Sequence, residues 1–285
     1  MAKFSRAHKI KLKLDKEQFT YCSQSAGVAR FAYNWALSKW QTLYQEYLAI
    51  QAQKTILCLS IKELDRLDSI KPPSEGDLRK LFNQQKKIDK PSDYDSLPIE
   101  QQRQYFPWAT DVSKYAPQQA IQNLGEAFKR FFKTKSGYPK FKKKGKCFDS
   151  FYIGGDQIVV KNKTVKIPNL GYVKLTEEIR FQGKILSATV SRQADHWFIS
   201  FAIEPLISFI PCKNHTRVGI DVGSKALATL SNGIQIEAPK PLKKSIRKLR
   251  RLSRQLSKKQ HGRYKGDSTP KSKNYLKQQN KVAKY

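Results

Sequence analysis

Residues 217–237 read Arg217-Val-Gly-Ile-Asp-Val-Gly-Ser-Lys-Ala-Leu-Ala-Thr-Leu-Ser-Asn-Gly-Ile-Gln-Ile-Glu237. Val218, Ile220 and Val222 alternate with Gly219, Asp221 and Gly223, the period of two that marks a strand. A second run spans Ala226 to Leu230, and Ser231-Asn-Gly233 reads as a tight turn into Ile234-Gln-Ile236. One face of the first strand is aliphatic. The other carries a single carboxylate between two glycines, so no bulky same-face neighbour blocks a metal ion or a phosphate from it.

Three readings of Asp221 follow. It is a polar residue facing water at a strand end, or part of a phosphate-binding hairpin of the actin-like ATPase kind, or the first metal ligand of a carboxylate-based nuclease. The ATPase needs a second, comparable domain after the hairpin, and only a short tail follows here. The other two stay open on these residues alone.

Composition narrows the field. The 285 residues hold 55 Lys plus Arg against 23 Asp plus Glu, a formal net charge of +32. A field of that size calls for a polyanionic partner, and nucleic acid suits it better than a membrane. No run approaches the length of a membrane span, and the N-terminus has no apolar signal region. Hydrophobic residues at 39% and aromatics at 11% exclude a disordered basic tail. Cys22, Cys58, Cys147 and Cys212 are far apart with no Cys-x-x-Cys pair, so no disulfide framework or zinc site is expected.

Outward from the hairpin, the charge is placed unevenly. Residues 60–110 hold nine basic and nine acidic residues and read as short helices and loops, whereas Lys129 to Lys146 contains nine Lys or Arg and no acid. That second segment interleaves Lys129, Arg130, Lys133, Lys140, Lys142, Lys143 and Lys144 with Phe131, Phe132, Tyr138 and Phe141. Pro139 and the glycines make it a loop suited to a phosphate backbone, with rings available for stacking. Pro241 to Gln260 reads as a helix with Leu242, Ile246, Leu249, Leu252 and Leu256 on one stripe and Arg247, Arg250, Arg251 and Arg254 among the cations opposite. From Lys240 onward there are seventeen basic residues and one acid, Asp267. Ser272 starts a last helical pattern that is still running at Tyr285, as expected of a chain cut from a longer one.

The remaining elements follow from periodicity. Lys9-Ile-Lys-Leu-Lys-Leu14 alternates as a strand, and Asp15 with Gln18 resembles a capping box. Helical spacing then runs to about Ala52, read as a pair of helices with a break near Gly27, and resumes from Pro117 to Phe132. Ile158 to Val160, Val165 to Ile167 and Tyr172 to Leu175 are short strands, and Lys184 to Arg192 and Trp197 to Ile203 form a long hairpin. Joined by Ile10 to Leu14, these strands are expected to close a small antiparallel barrel with the helices inserted into it. The fold class is therefore α+β and multidomain.

Several pieces together resemble the TnpB (OrfB) proteins of bacterial insertion sequences, compact RNA-guided DNA nucleases often called transposases and related to type V CRISPR effectors. The matching residues are Ile10-Lys-Leu-Lys-Leu-Asp-Lys-Glu-Gln18, Arg30-Phe-Ala-Tyr-Asn-Trp35, Gly137-Tyr-Pro-Lys-Phe-Lys142, Val218 to Leu230, and the basic Leu-rich helix after Pro241. The resemblance implies a wedge β-barrel from residues 1–14 and 136–212, a helical recognition lobe over 15–135, and the start of a RuvC-like, RNase H-fold nuclease domain over 216–285. It makes Asp221 the first of three catalytic carboxylates that hold Mg²⁺, and guide RNA and double-stranded target DNA the partners, in the bacterial cytoplasm at the nucleoid. The second and third family carboxylates have no counterpart here: Glu237 and Asp267 are the only acids after Asp221, and neither sits in a matching motif. The polypeptide is therefore expected to bind nucleic acid but to lack cleavage by itself. A nuclease-dead regulator and a basic RNA-binding protein of ribosomal type are the alternatives.

Overall fold

The computed structural model describes residues 5–56, 71–92, 94–102, 104–134, 137–206, 217–223, 226–238, 241–259 and 270–285; the side chains of 53–56, 99–100 and 241–244 are outside the description. Cys58 and Cys212 fall outside it as well. The chain forms two compact units, one from residues 1–192 and 196–206, the other from 193–195 and 207–285.

In the first unit, β1 (Arg6–Lys13) precedes α1 (Lys16–Ile56), α2 (Glu75–Gln85), the one-turn α3 (Ile99–Gln102) and α4 (Tyr115–Thr134). Six strands follow: β2 (Ser150–Gly154), β3 (Val159–Lys161), β4 (Thr164–Ile167), β5 (Gly171–Leu175), β6 (Gly183–Gln193) and β7 (His196–Pro205). Together with β1 they form one seven-stranded sheet in the order β2-β6-β7-β1-β5-β4-β3.

The sheet does not close, so the expected barrel is corrected to an open antiparallel sheet whose edges are β2 and β3. The hinge is β1. Its residues Arg6 to Lys11 pair with β7, and only Leu12 and Lys13 pair with β5. A barrel would fill its interior from its own strands. Here the inward residues meet helices instead: Ile10, Phe151, Ile153, Val190, Trp197, Ile199 and Phe201 share one buried cluster with Cys22, Ala26, Ala29, Ala116 and Ala120. Both α1 and α4 pack against β2. Once helices cover the apolar face, closure brings no further burial.

The single helix α1 replaces the expected pair. At 41 residues it is about 60 Å long. Asp15 Oδ1 accepts from the Gln18 amide at 2.8 Å and Gln18 Oε1 from the Asp15 amide at 3.3 Å, a reciprocal cap. Gly27 weakens a helix intrinsically, but Ala26, Val28 and Ala29 around it are buried and hold the turn. Most of its aromatics pack into or against the core: Phe31 and Trp35 meet Phe106 and Phe82 at 5.0 and 5.2 Å, and Trp40 stacks on Phe128 at 3.9 Å. Burial pushes the Cys22 thiol up to about 12, an unreactive core group.

Two glycines predict opposite signs. A Cβ on Gly27 would have nothing within 4 Å, so Gly27→Ala should stabilise by up to about 1 kcal/mol. A Cβ on Gly155 would lie 2.4 Å from the Ile185 carbonyl oxygen and 2.5 Å from that of Leu186, rigid backbone on β6. Gly155→Ala should cost about 1–3 kcal/mol in urea unfolding.

In the second unit, β8 (Ile220–Asp221), β9 (Ala226–Leu230) and β10 (Gln235–Glu237) form a three-stranded sheet in the order β10-β9-β8. Helices α5 (Pro241–Ser257) and α6 (Lys273–Lys284) pack on each other. Gln278 is buried between them, donating to the Leu252 carbonyl at 3.1 Å and to Gln255 Oε1 at 3.2 Å. Ser272 caps α6 by accepting from the Tyr275 amide.

Candidate nucleic-acid interface

In the first unit the basic loop is held by α1. Asn34 and Arg30 lie one turn apart on that helix, and both reach the loop. The Asn34 side chain grips the backbone of Lys142 twice, accepting from its amide at 2.8 Å and donating to its carbonyl at 2.9 Å. Arg30 donates to Asp149 Oδ1 at 2.6 Å, both side chains being less than a quarter exposed. Pro139 is buried, and Tyr138 packs edge-on against Phe131 and Phe128 at 5.3 and 5.7 Å. The loop is therefore a fixed platform. Its exposed parts are Lys140, Lys143 and Lys144, with Phe141 and Phe148 beside them.

Asn34→Ala should release this platform. It leaves the amide and carbonyl of Lys142 without partners in a half-buried setting, a loss of about 2 kcal/mol. Faster amide exchange over residues 140–146 is the expected readout; unchanged protection would show that the clamp is dispensable.

The candidate cations differ in setting. Lys142 is turned inward, its ammonium 4.0 Å over the Tyr33 ring, and burial lowers its pKa. Lys129 is exposed and pairs with Glu126 at 2.8 Å, which raises the lysine and lowers the carboxyl. An exposed pair like this contributes little to stability. Arg130 and Lys133 are exposed on the same helix, α4.

In the second unit Asp221 is exposed on β8, directly opposite Thr229, which in turn lies opposite Gln235. Gly219 and Gly223 leave the carboxylate without side-chain neighbours along its own strand. Glu237 pairs with Ala226, three residues along β9 and one strand further on, which puts its backbone about 14 Å from Asp221. Two-metal phosphodiester chemistry needs several ligands around ions about 4 Å apart. Among the described residues, no group of three or more His, Cys, Asp or Glu is placed to hold a metal. The described residues do not make a complete Mg²⁺ centre.

On α5, Arg247, Arg250, Arg251 and Arg254 line one groove of about 440 Å³ with Gln255 and Lys258. From Arg247 to Lys258 the helix advances about 16 Å, the rise of about five nucleotides of one DNA strand. The stripe of Ile246, Leu249, Leu252 and Leu256 is partly covered.

Two of these regions are where comparison with known proteins is informative. Residues 211–285, which hold Asp221 and the arginine groove, match the OrfB_IS605 family model, described as "Probable transposase". Residues 1–48 match the companion OrfB model, described as "Helix-turn-helix domain". Both models describe OrfB proteins of insertion sequences, and this chain is similar to them. Over 152 residues it is 33% identical to the "Putative RNA-guided DNA endonuclease InsQ" of Escherichia coli (strain K12), covering 53% of this chain and 38% of that protein. Over 192 residues it is 27% identical to a "Putative RNA-guided DNA endonuclease" of Streptomyces pristinaespiralis, covering 66% of this chain and 48% of that one. A Mycobacterium tuberculosis relative with the same designation is 28% identical over 174 residues, 52% of this chain and 37% of its own length. The matched stretches thus span less than half of each relative. Among the described residues of 1–48 no helix-turn-helix forms: they make β1 and then an unbroken stretch of α1.

Sequence reasoning missed the Arg30–Asp149 pair and the Asn34 clamp. A signal was present, since Arg30 and Asn34 stand four apart in the quoted Arg30-Phe-Ala-Tyr-Asn-Trp35 motif and so share a helix face.

Proposed function

We propose that this chain is the guide-RNA-binding and DNA-binding portion of an RNA-guided DNA endonuclease. The observation that carries this reading is the pairing of a clamped basic loop with an arginine-lined helix, in a chain whose relatives are named as putative RNA-guided DNA endonucleases. Guide RNA would read the target by base pairing, while the protein grips backbone and heteroduplex shape. Within the same reading, residues 15–135 serve as a recognition lobe, residues 216–285 belong to a RuvC-like nuclease domain, and Asp221 is one of its metal ligands. Lys140, Lys143, Lys144, Arg130 and Lys133 contact phosphates on one unit, as do Arg247, Arg250, Arg251 and Arg254 on the other. A cytoplasmic, nucleoid-associated location follows. No helix among the described residues is long and apolar enough to cross a membrane.

The test is the RNA that copurifies with the protein. A discrete transcript from the end of the insertion sequence is expected; bulk ribosomal or random RNA would overturn the guide-binding reading.

A binding role without cleavage is favoured for the 285-residue polypeptide by the lone position of Asp221 among the described carboxylates. Supplied with guide RNA, target plasmid and Mg²⁺, this polypeptide should bind but not nick. Nicking that disappears in Asp221→Ala would overturn that expectation.

A further inference from the structure

A cavity of about 310 Å³ lies in the first unit between α1, α4, β2 and the segment 142–151. We infer that it is a single-nucleotide site, taking one base turned out of a single-stranded polynucleotide together with its phosphate. The inference rests on the nucleic-acid-binding reading above and assigns a specific contact to it. Alanines hollow the site out: Ala26, Ala29, Ala116 and Ala120 are buried along its helical walls.

Three features of the lining select the ligand. The first is charge. Of the two cations at the wall, Arg30 is neutralised by Asp149 at 2.6 Å. Lys142 has no carboxylate partner among the described residues and rests on the face of Tyr33 at 4.0 Å. A half-buried ammonium without a counter-ion favours an anion at its head, and one spare positive charge suits one phosphodiester. Burial already lowers the pKa of this lysine, and a phosphate would reverse that pressure.

The second feature is an exposed ring. Phe148 is 87% exposed at the cavity, more than any other large hydrophobic residue of the described chain. The backbone around it is held by Asp149 and by the Lys142 clamp, so the ring is presented rather than trailing free. Base–aromatic stacking would remove that apolar surface from water. The third is an amide pair. Gln119 Nε2 donates to Asn123 Oδ1 at 3.1 Å, leaving the Gln119 carbonyl oxygen as an acceptor and one N–H of Gln119 with both of Asn123 as donors for another group. Adjacent donor and acceptor amides match the edge of a nucleobase. The volume sits at the lower end of small-ligand sites, right for a nucleotide and too small for a duplex.

The test uses the full chain and single-stranded oligonucleotides carrying 4-thiouracil or 4-thiothymine, as RNA and DNA arms. Ultraviolet cross-links should map to Phe148 or Tyr152 in at least one arm, and the stronger arm identifies the source of the nucleotide. Phe148→Ala, on a side chain too exposed to affect folding, should lower that yield about tenfold while overall affinity changes far less; Phe148→Trp should restore it. Lys142→Met, which keeps the packing on Tyr33, should reduce the salt slope of binding by about one. Full-affinity binding with cross-links confined to Phe132 or Phe141, or a yield indifferent to Phe148→Ala, overturns the cavity assignment alone. Absence of oligonucleotide binding overturns it together with the function on which it rests.

Discussion

Trp197→Ala should cost about 3–5 kcal/mol and unfold the first unit at far lower urea. Trp197 is 1% exposed on β7, the strand that pairs with β1, and it meets Phe19 of α1 at 6.2 Å and Phe151 of β2 at 6.3 Å. One side chain thus joins the sheet centre, a sheet edge and the long helix. Its indole Nε1 is buried with no hydrogen-bond partner among the described residues, a penalty of about 1–3 kcal/mol carried by the native state. Trp197→Phe removes that orphaned donor while keeping much of the ring, so its loss should be less than half that of the alanine variant. Equal losses in the two variants would mean that the polar atom is not a burden.

The second large effect concerns binding. Replacing Arg247, Arg250, Arg251 and Arg254 together by alanine should reduce the salt slope of oligonucleotide binding by about four and weaken affinity about a thousandfold at physiological ionic strength. Alanine is the best helix former, so α5 should persist and circular dichroism should be unchanged. Lys129→Ala serves as the contrast. That ammonium already faces Glu126, so its removal should alter affinity only slightly. A quadruple variant with the parental slope would place the phosphate contacts elsewhere.

How much of this was readable beforehand depended on whether a feature is local. The strand at Lys9 to Leu14 and the long hairpin follow from period two, and both form. The turns between the short strands follow from residues that tolerate positive φ, and Asn162, Asn169, Gly171 and Gly233 adopt it. The Asp15–Gln18 cap is equally local. Gly27 shows where local reading stops, because the residues that bury Ala26, Val28 and Ala29 on either side of it come from other elements of the chain. Barrel closure was not legible for the same reason. Whether β2 meets β3 depends on what else can cover the sheet, and α1 and α4 do so.

The candidate interface divided in the same way. Charge counts located the basic loop and the arginine helix. They could not show that Lys142 is folded inward against Tyr33 while Lys140, Lys143 and Lys144 stay outside. The carboxylate of Asp221 was identified by its flanking glycines, and its exposure on β8 is a structural observation.

The small sheet of the second unit has a consequence for handling the protein. Val218, Ile220, Val222, Ile234 and Ile236 are all exposed, a greasy surface on a molecule of formal charge +32. Like-charge repulsion keeps copies apart in dilute buffer and fades as added ions shorten its reach to about 8 Å at physiological strength. Brine that strips away the polyanion should therefore also let these oily patches meet, and the solution should turn turbid just as the ligand departs.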